Sequence, residues 1–158
     1  MATSVRYGHR EGPGKGRELP LMANQYFHRL GGHFVKIREG NATLCATGDN
    51  VVAGWAVTPK QTSGKESWKG GGKEVDSVFV IYGLEDVFEL PVLEKNASLA
   101  ASWIGQGAGL VTSGATHAMK QYAKIGGSVT ASPVSIVDVD VTAKTVFVKI
   151  KPSKRQAI

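Results

Sequence analysis

The sequence predicts an all-β protein: a small antiparallel β-barrel or sandwich with one short helix and an extended N-terminal arm. Three observations carry that prediction. In Pro133 to Lys151, Val137, Val139 and Val141 alternate with Asp138 and Asp140, and Val146, Val148 and Ile150 then alternate with Phe147, Lys149 and Lys151. Successive side chains of a strand point to opposite faces, so period-two alternation around a short polar connection reads as a β-hairpin. The chain also holds 20 glycines in 158 residues, close to twice the usual share of about 7%. Finally, turn signals recur at hairpin spacing between eight or nine short apolar runs, as in barrels and sandwiches.

Residues 1–20 read as an arm, because Gly8, Gly12, Pro13, Gly14, Gly16 and Pro20 break every periodic pattern. Such a segment buries too little apolar surface to offset its ordering entropy alone, so it is expected to stay loose or to order on a partner. The body is expected to span 21–151. Residues 21–30 fit a short helix or an edge strand. His33 to Arg38, Thr43 to Ala46 and Val51 to Val57 read as strands separated by Glu39-Gly40-Asn41 and Gly48-Asp49-Asn50 turns. Trp55, among apolar neighbours, is read as core.

Residues 58–74 form a long polar, glycine-rich loop holding Trp68, which either contacts a partner or folds back onto its own domain. Strands are expected at 75–82 and at Val87 to Pro91. The helix is expected at 96–104, with Asn96 as N-cap, Leu99 and Trp103 on one face, and Gly105 ending it with a positive φ. Two weaker strands, around Leu110-Val111 and Met119 to Ile125, precede the hairpin.

The net charge of +6 is uneven. Residues 1–17 carry +3 and residues 149–158 carry +4, which leaves −1 on everything between. Basic ends on a neutral body suit an anionic surface, whether nucleic acid, membrane or an acidic protein face. Candidate contact residues are Arg6, Tyr7, Arg10, Lys15 and Arg17 of the arm, Tyr26, Phe27 and Trp68 as exposed aromatics, and Lys154 and Arg155 of the tail at 152–158. No apolar run approaches the ~18 residues of a membrane span, and the N-terminus has no apolar signal core, so the protein is expected in the cytoplasm or in a particle assembled there.

Several chemical motifs fail on inspection. Gly70-Gly71-Gly72-Lys73 lacks the first glycine and final Ser or Thr of a phosphate loop, since those positions are Ser67 and Glu74. Gly105 to Leu110 resembles a dinucleotide fingerprint but ends in Leu110 and follows a helix-like segment. His9, His28, His33 and His117 do not cluster, and Cys45 reads as a buried small hydrophobe. Asp138 and Asp140 read as a solvated face beside Lys149 and Lys151. The expectation is a non-enzymatic protein with no cofactor and no metal.

VFELP (Val87 to Pro91), IGQGAGL (Ile104 to Leu110), QYAKIGGS (Gln121 to Ser128) and the hairpin, in that order, resemble the small capsid decoration, or cement, proteins of tailed bacteriophages. The resemblance covers about the C-terminal half. It implies a β-rich body on the outside of an icosahedral shell, bridging major capsid protein subunits, as a homo-oligomer, and stabilising the capsid. Basic ends would steer docking to an acidic shell. The alternative is a nucleic-acid-binding β-barrel of the OB or SH3-like kind, with phosphates on the basic ends and bases on Tyr26, Phe27 and Trp68.

Overall fold

The computed structural model describes residues 8–22, 26–28, 32–57, 67–69, 77–92, 101–113, 120–124 and 132–156. Among them the chain is all-β and forms a sandwich of two antiparallel sheets. The six-stranded sheet runs in the order β1 (Gly8–Glu11), β9 (Val87–Pro91), β13 (Thr145–Ile150), β12 (Val134–Asp140), β10 (Gly107–Ser113), β11 (Lys120–Lys124). The five-stranded sheet runs β2 (Gly16–Pro20), β8 (Ser77–Ile81), β6 (Gly54–Val57), β4 (Gly32–Arg38), β5 (Asn41–Leu44). A separate two-stranded ribbon pairs β3 (Tyr26–His28) with β7 (Ser67–Lys69).

Facing side chains of the two sheets make the main core. Phe34 and Trp55 meet edge to face at 4.9 Å, Phe34 and Phe88 at 5.3 Å, and Trp55 stacks on Phe88 at 5.7 Å. Leu90, Leu110, Ile136, Val146, Val148 and Ile150 extend this cluster across the six-stranded sheet. Trp55 is 1% exposed, as its apolar neighbours predict. A second cluster of Leu19, Val35, Ala56, Val78 and Val80 lies on the other face of the five-stranded sheet, where Ala56 pairs with Val80 and Leu19 with Val78. Its central strand β6 therefore has buried residues on both faces, Trp55 toward one cluster and Ala56 toward the other, whereas on β8 buried Val78 and Val80 alternate with exposed Ser77 and Phe79.

The hairpin forms as expected, with β12 paired to β13, but its alternation is interrupted. A register shift between Ile136 and Asp138 inserts an extra residue. Val134 and Ile136 are buried and Val139 packs on the core, whereas Val137 faces outward and Val141 is 58% exposed. Asp138 and Asp140 stand opposite Phe147 and Thr145, not opposite Lys149 and Lys151. Their Oδ1 atoms accept from the Val139 and Ala143 amides at 2.9 Å each.

Three further expectations need correction. The helix at 96–104 is, over its described part, a 3-10 turn at Ala101–Trp103, and no α-helix occurs among the described residues. The Gly105 amide donates to Ile136 O and the Ile136 amide to Gln106 O, both at 2.8 Å, so this backbone is tied to β12. Residues 96–100 of the expected helix, with Asn96 and Leu99, lie outside the described residues. Gly105 does take a positive φ, +94°.

The arm is extended, but residues 8–20 lie within the body: β1 pairs with β9, and β2 pairs with β8. Gly12 (φ +100°) and Gly14 (φ +68°) carry the chain between the sheets in conformations that side chains disfavour. The basic tail likewise docks as far as Gln156. The Val52 amide donates to Lys154 O at 3.0 Å, the Gln156 amide to Val52 O at 2.8 Å, and Ile37 N to Gln156 Oε1 at 2.8 Å. The described part of the loop at 58–74 is strand β7, and residues 21–30 supply a strand, β3.

Candidate functional site

Lys15 and Arg155, far apart in sequence, meet on Tyr82, the residue that follows β8. The Tyr82 amide donates to Lys15 O at 3.0 Å, and Arg155 Nη1 donates to Tyr82 O at 3.2 Å. Lys15 Nζ lies 6.0 Å from the centre of the Tyr82 ring and Arg155 Cζ 5.9 Å, both within cation–π range. Lys15 and Arg155 are exposed and Tyr82 is half-buried. Neither cation has a carboxylate partner among the described residues. Lys154, half-buried, precedes Arg155 in the 3-10 turn Pro152–Lys154. The result is an exposed cationic surface on an aromatic ring, held in place by backbone hydrogen bonds from three segments.

The other candidates fall elsewhere. Arg10, on β1, donates from Nε to Glu89 Oε1 at 2.8 Å, and Thr145 Oγ1 donates to Glu89 Oε2 at 2.5 Å. Arg10 is thus committed to an internal ion pair with a carboxylate that is only 8% exposed. Arg17 is exposed on β2, in register with Val80. Strand pairing sets Phe27 directly opposite Trp68, with Tyr26 opposite Lys69, so backbone register joins the three aromatic candidates on one ribbon. Arg6 and Tyr7 lie outside the described residues. Sequence reasoning misses Tyr82, whose one local signal is a tyrosine closing an apolar run just before Gly83.

His9 pairs with Asp86 rather than with another histidine. Its Nε2–H donates to Asp86 Oδ1 at 2.8 Å, the Gly14 amide donates to the same oxygen at 2.8 Å, and the ring meets Phe88 edge-on at 5.8 Å. Asp86 is fully buried, and its Oδ2 has no hydrogen-bond partner among the described residues. A side chain at Gly12 would collide with this carboxylate, so the turn admits only glycine there. No nucleophile joins the pair in these contacts, which hold the Gly12–Gly14 turn against β9.

Cys45 is buried, with its Sγ 3.7 Å from Val51 O. Burial first, and then the charge of Asp49, pushes its thiol well above the ordinary range. It therefore holds its proton and is a poor nucleophile. Gly107 to Leu110, the heart of the dinucleotide-like run, is strand β10 and pairs with β11 and β12. The Gly70–Lys73 run and His117 lie outside the described residues. Among the described residues no group of three or more His, Cys, Asp or Glu side chains is placed to hold a metal, and no helix is long and apolar enough to cross a membrane. Comparison with known proteins finds no matching family model, no similar curated protein and no similar solved structure.

Proposed function

We propose that the protein is a structural virion component that sits on the outside of a tailed-phage capsid, bridges neighbouring major capsid protein subunits and stabilises the shell. It acts by binding, without catalysis or cofactor. The observation that carries this reading is the Lys15–Tyr82–Arg155 surface. Its cations sit on segments that backbone hydrogen bonds tie to the two-sheet body, and they lack carboxylate partners among the described residues. A charged surface organised before binding steers encounter with an acidic protein face and loses little entropy on docking. The motif order, which resembles that of decoration proteins, supports the same reading: VFELP is the strand between β1 and β13, and the closing hairpin is its neighbour. The ribbon carrying Tyr26, Phe27 and Trp68 supplies aromatic residues of the kind that anchor interfaces.

The test is co-sedimentation of the purified full chain with DNA-free shells of the phage that encodes it, beside binding to single-stranded DNA across a salt series. Saturable binding to shells is expected. It should weaken at least about tenfold in Lys15→Glu/Arg155→Glu, as expected for lost close charge pairs. Absence from the shell pellet, together with DNA binding that falls steeply with salt and is lost in the same variant, would replace this reading with the nucleic-acid one.

A further inference from the structure

The bulge at Val137 and Asp138 builds a second surface feature. Val137, turned outward, joins Val87 of β9 and Phe147 of β13 in lining a cleft of about 410 Å³. Glu11, Glu85 and Asp138 stand in the same lining, with Lys149 as its cation. Lys149 Nζ approaches Glu85 Oε2 at 3.9 Å, and the Glu85 side chain is 84% exposed. The cleft therefore combines apolar side chains with an excess of carboxylates. That chemistry suits a long basic side chain, whose stem lies on Val137 and Phe147 while its head reaches the acids.

The same molecule carries side chains of that kind beside the cleft. Lys15 follows Glu11 by four residues, and Tyr82 precedes Glu85 by three. The chain can span no more than about 3.6 Å per residue, so the Cα atoms of Glu11 and Lys15 are at most about 14 Å apart and those of Tyr82 and Glu85 at most about 11 Å, which sets these parts of the acidic lining and the cationic surface near one another. Glycines and the Asp86 contacts fold the first stretch back, which brings the two closer still. A surface with adjacent positive and negative parts is self-complementary: a two-fold axis between them sets each part of one copy against the opposite part of the other.

We propose that two copies of the protein associate through this contact, the Lys15–Tyr82–Arg155 surface of each docking on the Glu11–Glu85–Asp138 cleft of the other. Charge complementarity within one chain selects the occupant. Lys15 and Arg155 lack carboxylate partners among the described residues of their own chain, and the cleft has more acids than its single lysine offsets. The inference rests on the capsid reading: the contact between copies forms in the free protein on the same cationic surface that the shell takes, so docking on a shell displaces it. Its test uses the free protein, so failure here and failure to bind a shell are separate results.

Sedimentation velocity of the full chain, over a range of concentration and salt, reads the outcome. A concentration-dependent dimer that weakens as salt rises is expected. Lys15→Glu/Arg155→Glu and Glu11→Lys/Asp138→Lys should each raise the dissociation constant at least about tenfold. An equimolar mixture of the two variants should recover the dimer, because each then meets its opposite. A charge-altered control at exposed positions elsewhere, Arg38→Glu/Lys124→Glu, should dimerise like the parent. Circular dichroism confirms that each variant is folded. A monomer at every concentration, a dimer indifferent to both variants, or a mixture that stays monomeric would each overturn the proposal.

Discussion

On one side of β9 lies β13, and on the other lies β1; the two are held there by different forces. β13 pairs from Thr145 opposite Pro91 to Val148 opposite Phe88, and its Val146, Val148 and Ile150 are no more than 2% exposed. β1 has the sequence GHRE and contributes no aliphatic side chain at all. It is placed by His9 on Asp86, by Arg10 on Glu89, and by glycines that let the following turn close over Asp86. Glu89 serves both sides, taking Arg10 on one oxygen and Thr145 on the other. A strand can thus be fixed by its own apolar periodicity or by carboxylates that another strand buries for it. The first kind contributes transfer free energy along its whole length. The second depends on a few directional contacts whose loss leaves buried groups unsatisfied.

The comparison can be broken at β9 itself. Phe88 touches Trp55 and Phe34 in the core and His9 on the β1 side. Phe88→Ala should cost about 4 kcal/mol in chemical denaturation and loosen both neighbours together. Retention of hydrogen-exchange protection in β1 alone would show that its polar anchors suffice without the core.

Asp86→Ala sharpens the contrast instead. It removes the acceptor of His9 and Gly14 and should cost about 2 kcal/mol. Amide exchange over 8–20 should then speed up while β12 and β13 stay protected. Equal acceleration in both regions would mean that β1 and the hairpin open as one unit. The smallest effect belongs to the hairpin's own periphery. Alternation groups Val141 with Val139, yet Val141 is 58% exposed, so Val141→Thr should move the urea midpoint by no more than about 0.5 kcal/mol in stability.

These residues also show what could be read without the fold. β9 was legible to the residue: a short apolar run closed by proline reads as a strand that stops there, and every position of it is buried. The hairpin was legible as a hairpin, while its bulge was not. Val137 and Val139 are chemically identical, and only the register against β13 decides which one faces the core. β1 and β2 were illegible because their glycines and charges imitate a loose arm. The compensating partners, Asp86 and Glu89, lie more than 70 residues away. The candidate site was half legible. Lys15 and Arg155 stood out as basic residues near the two ends, but Tyr82, which joins them, read as one more apolar residue of β8's run.

By itself the sequence determined the all-β class, the hairpin, the burial of Trp55 and Cys45, and the concentration of positive charge near both ends. Each follows from local composition or from a period of two, which act over a few residues. Only the tertiary structure decided that residues 8–20 and 152–156 are docked on the body rather than free, that Val137 faces outward, and that a cationic surface stands next to an acidic cleft. Those outcomes depend on partners distant along the chain, through hydrogen-bond register and the pairing of buried charge, and no local pattern encodes them.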